Sequence, residues 1–166
     1  MNVSILYKSR FPEELTSARA DLWKELCSIW FQKYVSENDT VMDIGAGYCE
    51  FINAIRCKAK IAVDSNPDVK KYAQENVTVL QTDVLHIPNG YKNSIDVIFM
   101  SNFLEHLPKR DDVVTVLTYV KHFLKKDGVL LILQPNIDLV KEHYWDFIDH
   151  YTALNEKSLT EALILS

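Results

Sequence analysis

Five short runs of nearly continuous apolar character punctuate the chain: Thr40–Ile44, Lys60–Val63, Thr78–Gln81, Ile95–Met100 and Val129–Gln134. Each is short enough for a strand, and runs of this kind are covered on both faces, as in a parallel sheet with helices above and below it. Between them lie segments that read as helices, Cys49–Cys57, Asp68–Glu75 and Asp111–Lys125, the last closed by Lys125, Lys126 and an Asp127-Gly128 turn. Strands and helices in alternation predict a doubly wound α/β domain.

Ahead of the first run, Pro12 followed by Glu13 and Glu14 reads as a helix start, since proline suits the first turn and acids suit the positive end of the dipole. Leu15, Ala18, Leu22, Leu26, Ile29 and Trp30 recur at three- and four-residue steps, which predicts a helix of about six turns with that stripe facing a core. Ser36–Asp39 breaks the pattern. The expected organisation is an N-terminal arm and helix over residues 1–37, packed on a single core domain over residues 38–166. No internal repeat, low-complexity tract or linker interrupts it.

Composition removes several classes of function. With 166 residues, 48% hydrophobic, the chain can bury a core without disulfides or metals. The longest apolar stretches, such as Val129–Leu133 and Ala162–Leu165, fall far short of the roughly 18 residues of a membrane helix. No apolar leader follows the N-terminus, so a cytoplasmic location is expected. Three cysteines, Cys27, Cys49 and Cys57, without a CxxC pair fit reduced thiols. A formal charge of −5 with no Lys/Arg cluster argues against nucleic acid as a partner.

The first strand runs into a glycine turn, Asp43-Ile44-Gly45-Ala46-Gly47, that opens a helix and lets a ligand approach the backbone. A dinucleotide fingerprint would need a third glycine at position 50, where this chain has Glu50. Asp43, Asp64 and Asp83 add acid to the same edge of the sheet, so the site reads as one for a ligand without phosphates. Asp64 stands about 20 residues after Asp43, the spacing at which an acid meets ribose hydroxyls. Its alternative role is to cap the helix near Pro67, together with Ser65 and Asn66. Asp83 follows the third strand, where a carboxylate accepts from an adenine amino group or simply caps a loop.

In these residues the chain resembles the class I S-adenosylmethionine-dependent methyltransferases. Asp43–Gly47 resembles their first motif, Ile61-Ala62-Val63-Asp64 their ribose-binding strand, and Gln81-Thr82-Asp83-Val84 their adenine-binding turn. Asp96–Phe99 with Ser101-Asn102-Phe103-Leu104-Glu105-His106-Leu107 is similar to the fourth strand and its turn, and Leu124–Leu130 to the junction with the fifth strand. The resemblance covers about residues 38–135 and implies a Rossmann-like sheet of order 3-2-1-4-5. It implies S-adenosylmethionine as cofactor, released as S-adenosylhomocysteine and held by Asp43, Gly45, Gly47, Asp64, Ser65, Asp83, Val84 and Asn102. Cys49 departs from the glycine many members carry and is expected to narrow the cleft beside the methionine portion.

The acceptor side is less patterned. His106 follows the fourth strand beside the switch point and is a candidate general base, or a histidine that only bonds to backbone. The Asn/Asp-Pro-Pro-aromatic turn of members acting on nucleobase amines is missing at Ser101-Asn102-Phe103-Leu104, which counts against a nucleobase substrate. His143–Tyr151 is dense in aromatics, acids and imidazoles and reads as a pocket wall, with His150 or Asp146 a further candidate base. No spacing there matches a metal motif, so no metal is expected. Tyr7–Phe11 is either a lid over the cleft or a solvated arm.

The expected function is therefore methyl transfer to a small-molecule acceptor, with a hydroxyl oxygen of a sugar or secondary metabolite as first choice and His106 and His150 as bases. The alternatives are a non-catalytic cofactor-binding or assembly module and, further off, a nicotinamide-dependent oxidoreductase. Ser158-Leu159-Thr160-Glu161 has the form of a capping box, which places a last helix of barely two turns. Members of the family continue into antiparallel strands that this chain has no room for, so the fifth strand is expected as an edge. The chain is therefore expected to be either a fragment or a form that completes itself as a homodimer, through that edge or through the last helix.

Overall fold

In the computed structural model, which describes residues 3–10 and 12–166, the apolar runs form five strands: β1 (Thr40–Ile44), β2 (Ala59–Asp64), β3 (Val77–Gln81), β4 (Ile95–Ser101) and β5 (Leu124–Leu133). They lie in the order β3-β2-β1-β4-β5, every neighbouring pair parallel. Helices α1 (Val3–Arg10) and α2 (Thr16–Ile29) precede the sheet, and α3 (Glu50–Ala54), α4 (Val69–Tyr72) and α5 (Arg110–Lys121) connect its strands. Two more, α6 (Ile137–Val140) and α7 (Glu156–Leu165), follow it. Among the described residues no strand comes after β5, which is an edge. The order reverses between β1 and β4, and a crevice opens at their carboxyl ends because the connections leave in opposite directions.

Successive side chains of a strand point to opposite faces, so each central strand feeds two cores. Met42, Ile44, Ile98 and Met100 pack on one face with Val113, Val116, Leu117 and Val120 of α5. Val41, Val97 and Phe99 pack on the other with Phe31, Phe51 and Ile52.

The face that α2 turns to the sheet differs from the expected stripe. Leu15, Leu22, Ile29 and Trp30 are each more than half exposed, and Ala18 is exposed too. Of that stripe Leu26 does pack on the core, and Trp23 and Cys27 make the other contacts, together with Phe31 just beyond the helix. The reason is aromatic. Trp23, Phe31 and Phe51 gather on Phe99, with Phe51 stacked on it at 3.7 Å between ring centroids and Phe31 edge-on at 5.1 Å. Rings of that size bury more surface than the aliphatic residues they displace, and edge-to-face contacts add to it. The segment is also not one continuous helix: 3₁₀ turns at Glu13–Leu15 and Phe31–Lys33 flank α2.

The connecting helices are shorter than expected. α3 is bounded by Cys49 in the left-handed region (φ 59°) and by Ile55, already extended (ψ 140°). α4 stops where Ala73 turns extended. α5 ends at Lys121, and residues 125–128 bulge out of β5 instead of continuing the helix: Ile95 pairs with Leu124, but Val97 pairs with Val129. A Cβ on Gly128 would lie 3.0 Å from the Ile95 carbonyl oxygen and 3.1 Å from the Lys125 nitrogen, so a side chain there would push the bulge's backbone aside by a few tenths of an ångström. The capping box of the last helix is Asn155 with Ser158, not Ser158 with Glu161. The Asn155 side chain accepts from the Ser158 amide, and the Asn155 amide donates to Ser158 Oγ, both at 2.9 Å. Asparagine caps as well as serine does, and using it lengthens α7 by almost a turn at its start.

If the aromatic face carries the packing, Phe31→Ala should cost about 3–5 kcal/mol while Leu22→Ala stays within about 0.5 kcal/mol. Urea denaturation measures both; the opposite ranking would restore the aliphatic face.

Candidate functional site

The turn after β1 is built for close approach. Gly45 and Gly47 have φ of +74° and +52°, which disfavour any side chain. A Cβ on Gly45 would come within 2.6 Å of Phe103 Cδ2. The Gly45 and Ala46 amides donate to the Val63 carbonyl, tying the turn to β2. Asp64, at the end of β2, accepts from the Gly47 amide at 2.8 Å and from the Asn66 amide at 2.7 Å, so the capping role and a site position coincide. Cys49 does not narrow the cleft: it is fully buried, with Sγ 3.8 Å from the Val69 carbonyl oxygen.

Two cavities open at the carboxyl ends of β1 and β4. The larger, about 460 Å³, is lined by Asp43, Gly45, Gly47, Glu50, Phe99, Asn102, Glu105, His106, Phe147 and His150, with Arg10, Arg19 and Trp23 from the N-terminal helices. The smaller, about 350 Å³, is lined by Gly45, Asp64, Ser65, Asp83, Val84, Asn102, Phe103, His106 and Tyr151. Apart from Asp146, every residue singled out above for cofactor binding or catalysis lines one of them, and Gly45, Asn102 and His106 line both. Asp83 is exposed and its carboxylate accepts from the Leu85 amide at 2.9 Å, so it caps a 3₁₀ turn while facing the smaller cavity. Asp146 lines neither. It is exposed, outside both cavities, and bonded to His143 Nδ1 at 3.0 Å.

The acids of the site have little counter-charge. Burial pushes the Asp43 carboxyl well above its ordinary value of 3.8; the charges of Asp64 and Glu50 add to this, and a backbone hydrogen bond from Ile52 opposes it. Burial also raises Glu50, against its ion pair with Arg19 at 2.5 Å. It raises Asp64, against the two backbone amides. A positively charged ligand meets a favourable field here, and an open glycine cradle lets it reach the backbone. Both properties suit S-adenosylmethionine, which carries an ammonium and a sulfonium and no phosphate.

His106 Nδ1 lies 2.9 Å from the Asp149 carbonyl oxygen and His150 Nδ1 lies 2.7 Å from that of Tyr144. A carbonyl only accepts, so Nδ1 carries the proton in each ring and the lone pair of the neutral form sits on Nε2. Sequence reasoning missed the groups behind His106. Asp149 places Oδ2 3.3 Å from His106 Nδ1 and is clasped by both terminal nitrogens of Arg10, whose guanidinium lies 4.6 Å from the centre of the Phe147 ring. Burial alone would raise Asp149, but the hydrogen bond from Arg10 and the charges of His106 and Arg10 hold it below the usual carboxylate range. Of the segment considered as a lid, Arg10 closes on the cavity, and Phe11 lies outside the described residues.

A carboxyl raised by folding adds stability only at low pH and weakens the fold as pH climbs through its folded value. Asp43→Asn keeps the acceptor oxygen and removes the charge. It should therefore make the ligand-free protein more stable than the native chain at about pH 8, an advantage that disappears by about pH 4. Urea melts at the two pH values test this; a variant less stable at the higher pH would contradict it.

Comparison with known proteins agrees with this geometry. A family model described as a methyltransferase domain matches residues 42–132, from β1 to β5. No curated protein sequence matches significantly. Among solved structures, a SAM-dependent methyltransferase from Archaeoglobus fulgidus superposes with a TM-score of 0.74 at 22% identity, over 98% of this chain and 73% of that one. A SAM-dependent methyltransferase from Thermotoga maritima, described as a possible histamine N-methyltransferase, gives 0.71 at 20% identity, over 95% and 77%. Phosphoethanolamine N-methyltransferase 1 from Haemonchus contortus, in complex with phosphoethanolamine and S-adenosylhomocysteine, gives 0.65 at 17% identity, over 90% and 34%. With the family model spanning more than half of its length and its sheet in the same order, the chain belongs to the class I S-adenosylmethionine-dependent methyltransferases.

Proposed function

We propose that the protein methylates a hydroxyl oxygen of a small-molecule acceptor of sugar or secondary-metabolite type. The observation that carries this reading is the meeting of two cavities at Gly45, Asn102 and His106. In the smaller one, Asp64 and Ser65 are placed for ribose hydroxyls and Asp83 and Val84 for adenine. Asp43, Gly45, Gly47 and Asn102 lead from there into the larger one and hold the methionine portion. The larger cavity as a whole, about 460 Å³, is of the size that takes small ligands, and its far wall of Glu105, His106, Phe147 and His150 is left for the acceptor. S-adenosylmethionine supplies an activated methyl whose bond to sulfur breaks as the bond to the acceptor oxygen forms, with the electron pair left on sulfur. The protein's share is alignment and removal of the acceptor proton, which falls to His106 and His150.

The arm and helix of residues 1–37 act as part of the acceptor site and not as a separate module, a reading supported by Arg10, Arg19 and Trp23 in the cavity wall. Pairing of two chains through β5 or α7 belongs to the same proposal. It is supported by exposed Val129 and Leu133 on the one and exposed Leu163, Ile164 and Leu165 on the other. Among the described residues no helix is long and apolar enough to cross a membrane.

Calorimetry with S-adenosylhomocysteine should show binding by the native chain and a loss of about tenfold or more in Asp64→Ala, since charge-assisted hydrogen bonds contribute about 1.5–3 kcal/mol each. His106→Ala should bind normally and lose about 10²–10⁴-fold in turnover on a hydroxyl acceptor. Absence of binding by the native protein would end the proposal. Turnover on amines alone would replace the acceptor class.

A further inference from the structure

Glu105, His106 and His150 form a cluster that methyl transfer by alignment leaves unexplained. One ligand-capable atom from each lies within 4.8 Å of the other two, and all three residues line the larger cavity. Glu105 is 1% exposed, and none of the ion pairs among the described residues includes it. Its Oε2 accepts a neutral hydrogen bond from Gln134 Nε2 at 3.0 Å. A buried carboxylate without a cation is costly, and the partners at hand are two imidazoles whose Nδ1 atoms are already committed to carbonyl oxygens. That commitment fixes the tautomer in which Nε2 offers its lone pair, and a carbonyl behind the far nitrogen is the usual support of a metal-binding histidine. The rings stand edge to face, 5.2 Å apart. The backbone holds the set together: the Glu105 carbonyl accepts from the Tyr151 and Thr152 amides, so the turn after β4 and the segment carrying His150 are bonded at the cluster.

We infer that Glu105, His106 and His150 bind a divalent transition-metal ion at the floor of the acceptor cavity, with open coordination positions facing the acceptor. Two imidazoles and one carboxylate are a donor set for zinc or for another first-row divalent ion such as iron or cobalt. The inference rests on the proposed hydroxyl acceptor and states how its proton is lost. The acceptor oxygen coordinates the ion, the O–H bond breaks, its electron pair stays on oxygen, and the proton passes to solvent at the cavity mouth. Metal coordination makes this step accessible near neutral pH, as it does for bound water. On this inference the proton-accepting role given above to His106 and His150 is replaced: both act as ligands, and the acceptor proton goes to solvent.

The test uses chelator-treated, tag-free protein titrated with Co²⁺, followed by visible absorption, and then with Zn²⁺ as competitor. One Co²⁺ per chain, displaced by Zn²⁺, is expected. Glu105→Gln, His106→Ala and His150→Ala should each weaken binding by at least about tenfold, and His143→Ala, in the same segment but outside the cluster, should not. Calorimetry with S-adenosylhomocysteine on the same variants shows that each remains folded and separates this inference from the proposal it rests on. If the native chain binds S-adenosylhomocysteine but no stoichiometric Co²⁺ or Zn²⁺, the metal site is refuted and methyl transfer stands. Equal Co²⁺ binding by native, His106→Ala and His150→Ala proteins would also refute it. Metal binding that depends on the cluster, in a chain that does not bind S-adenosylhomocysteine, would support the site and remove the methyl-transfer reading.

Discussion

The contact between the turn after β1 and the turn after β4 governs everything built above the sheet. The Phe103 ring occupies the space beside Gly45 so closely that a single added carbon would strike it. Because β1 and β4 are neighbours whose connections leave in opposite directions, their two turns meet at the switch point. Glycine on one side and an aromatic ring on the other make that meeting a thin seam. The two cavities then adjoin, and Asn102 and His106, on either side of Phe103, line both.

What the amino-acid sequence disclosed was whatever depends on neighbours in the chain. Strands buried on both faces announce themselves by composition, and the residues at their carboxyl ends, Asp43, Asp64, Asp83 and Asn102, fall into the cleft because parallel strands all end on one side. Choices settled by tertiary competition stayed hidden. The periodicity of α2 offered an aliphatic stripe, and the sheet took the aromatic one because Phe51 and Phe99 were already stacked beneath it. Asn155 and Ser158 both cap well, and only the path of the chain decided between them. The clasp of Arg10 on Asp149, which stands behind His106, joins residues 139 positions apart and has no local signature.

The electrostatics of the cleft run against the stability of the empty fold. Asp43, Glu50 and Asp64 are raised chiefly by burial, and their neighbours only partly compensate. An uncharged polar residue at Asp43 would suit the ligand-free protein better. Local rules broken without structural gain are what a binding site leaves in a sequence. On the proposed function the compensation comes from outside the chain, as a cationic ligand, and binding and folding stability are then linked through the same carboxyls.

The Arg10–Asp149 clasp has a consequence for the order in which the molecule is made. On a growing chain, α1 emerges first but its partner is almost the last residue needed, so the N-terminal helix must wait, undocked, until the sheet and the segment after β5 exist. A contact of such long range is late to form, since the loop it closes spans nearly the whole protein. It is also peripheral, held by one guanidinium and the Phe147 ring beside it, and contacts of that kind are the first to open in local fluctuations. The wall of the larger cavity that carries Arg10 and Phe147 is thus the last part of the cleft to be completed during synthesis.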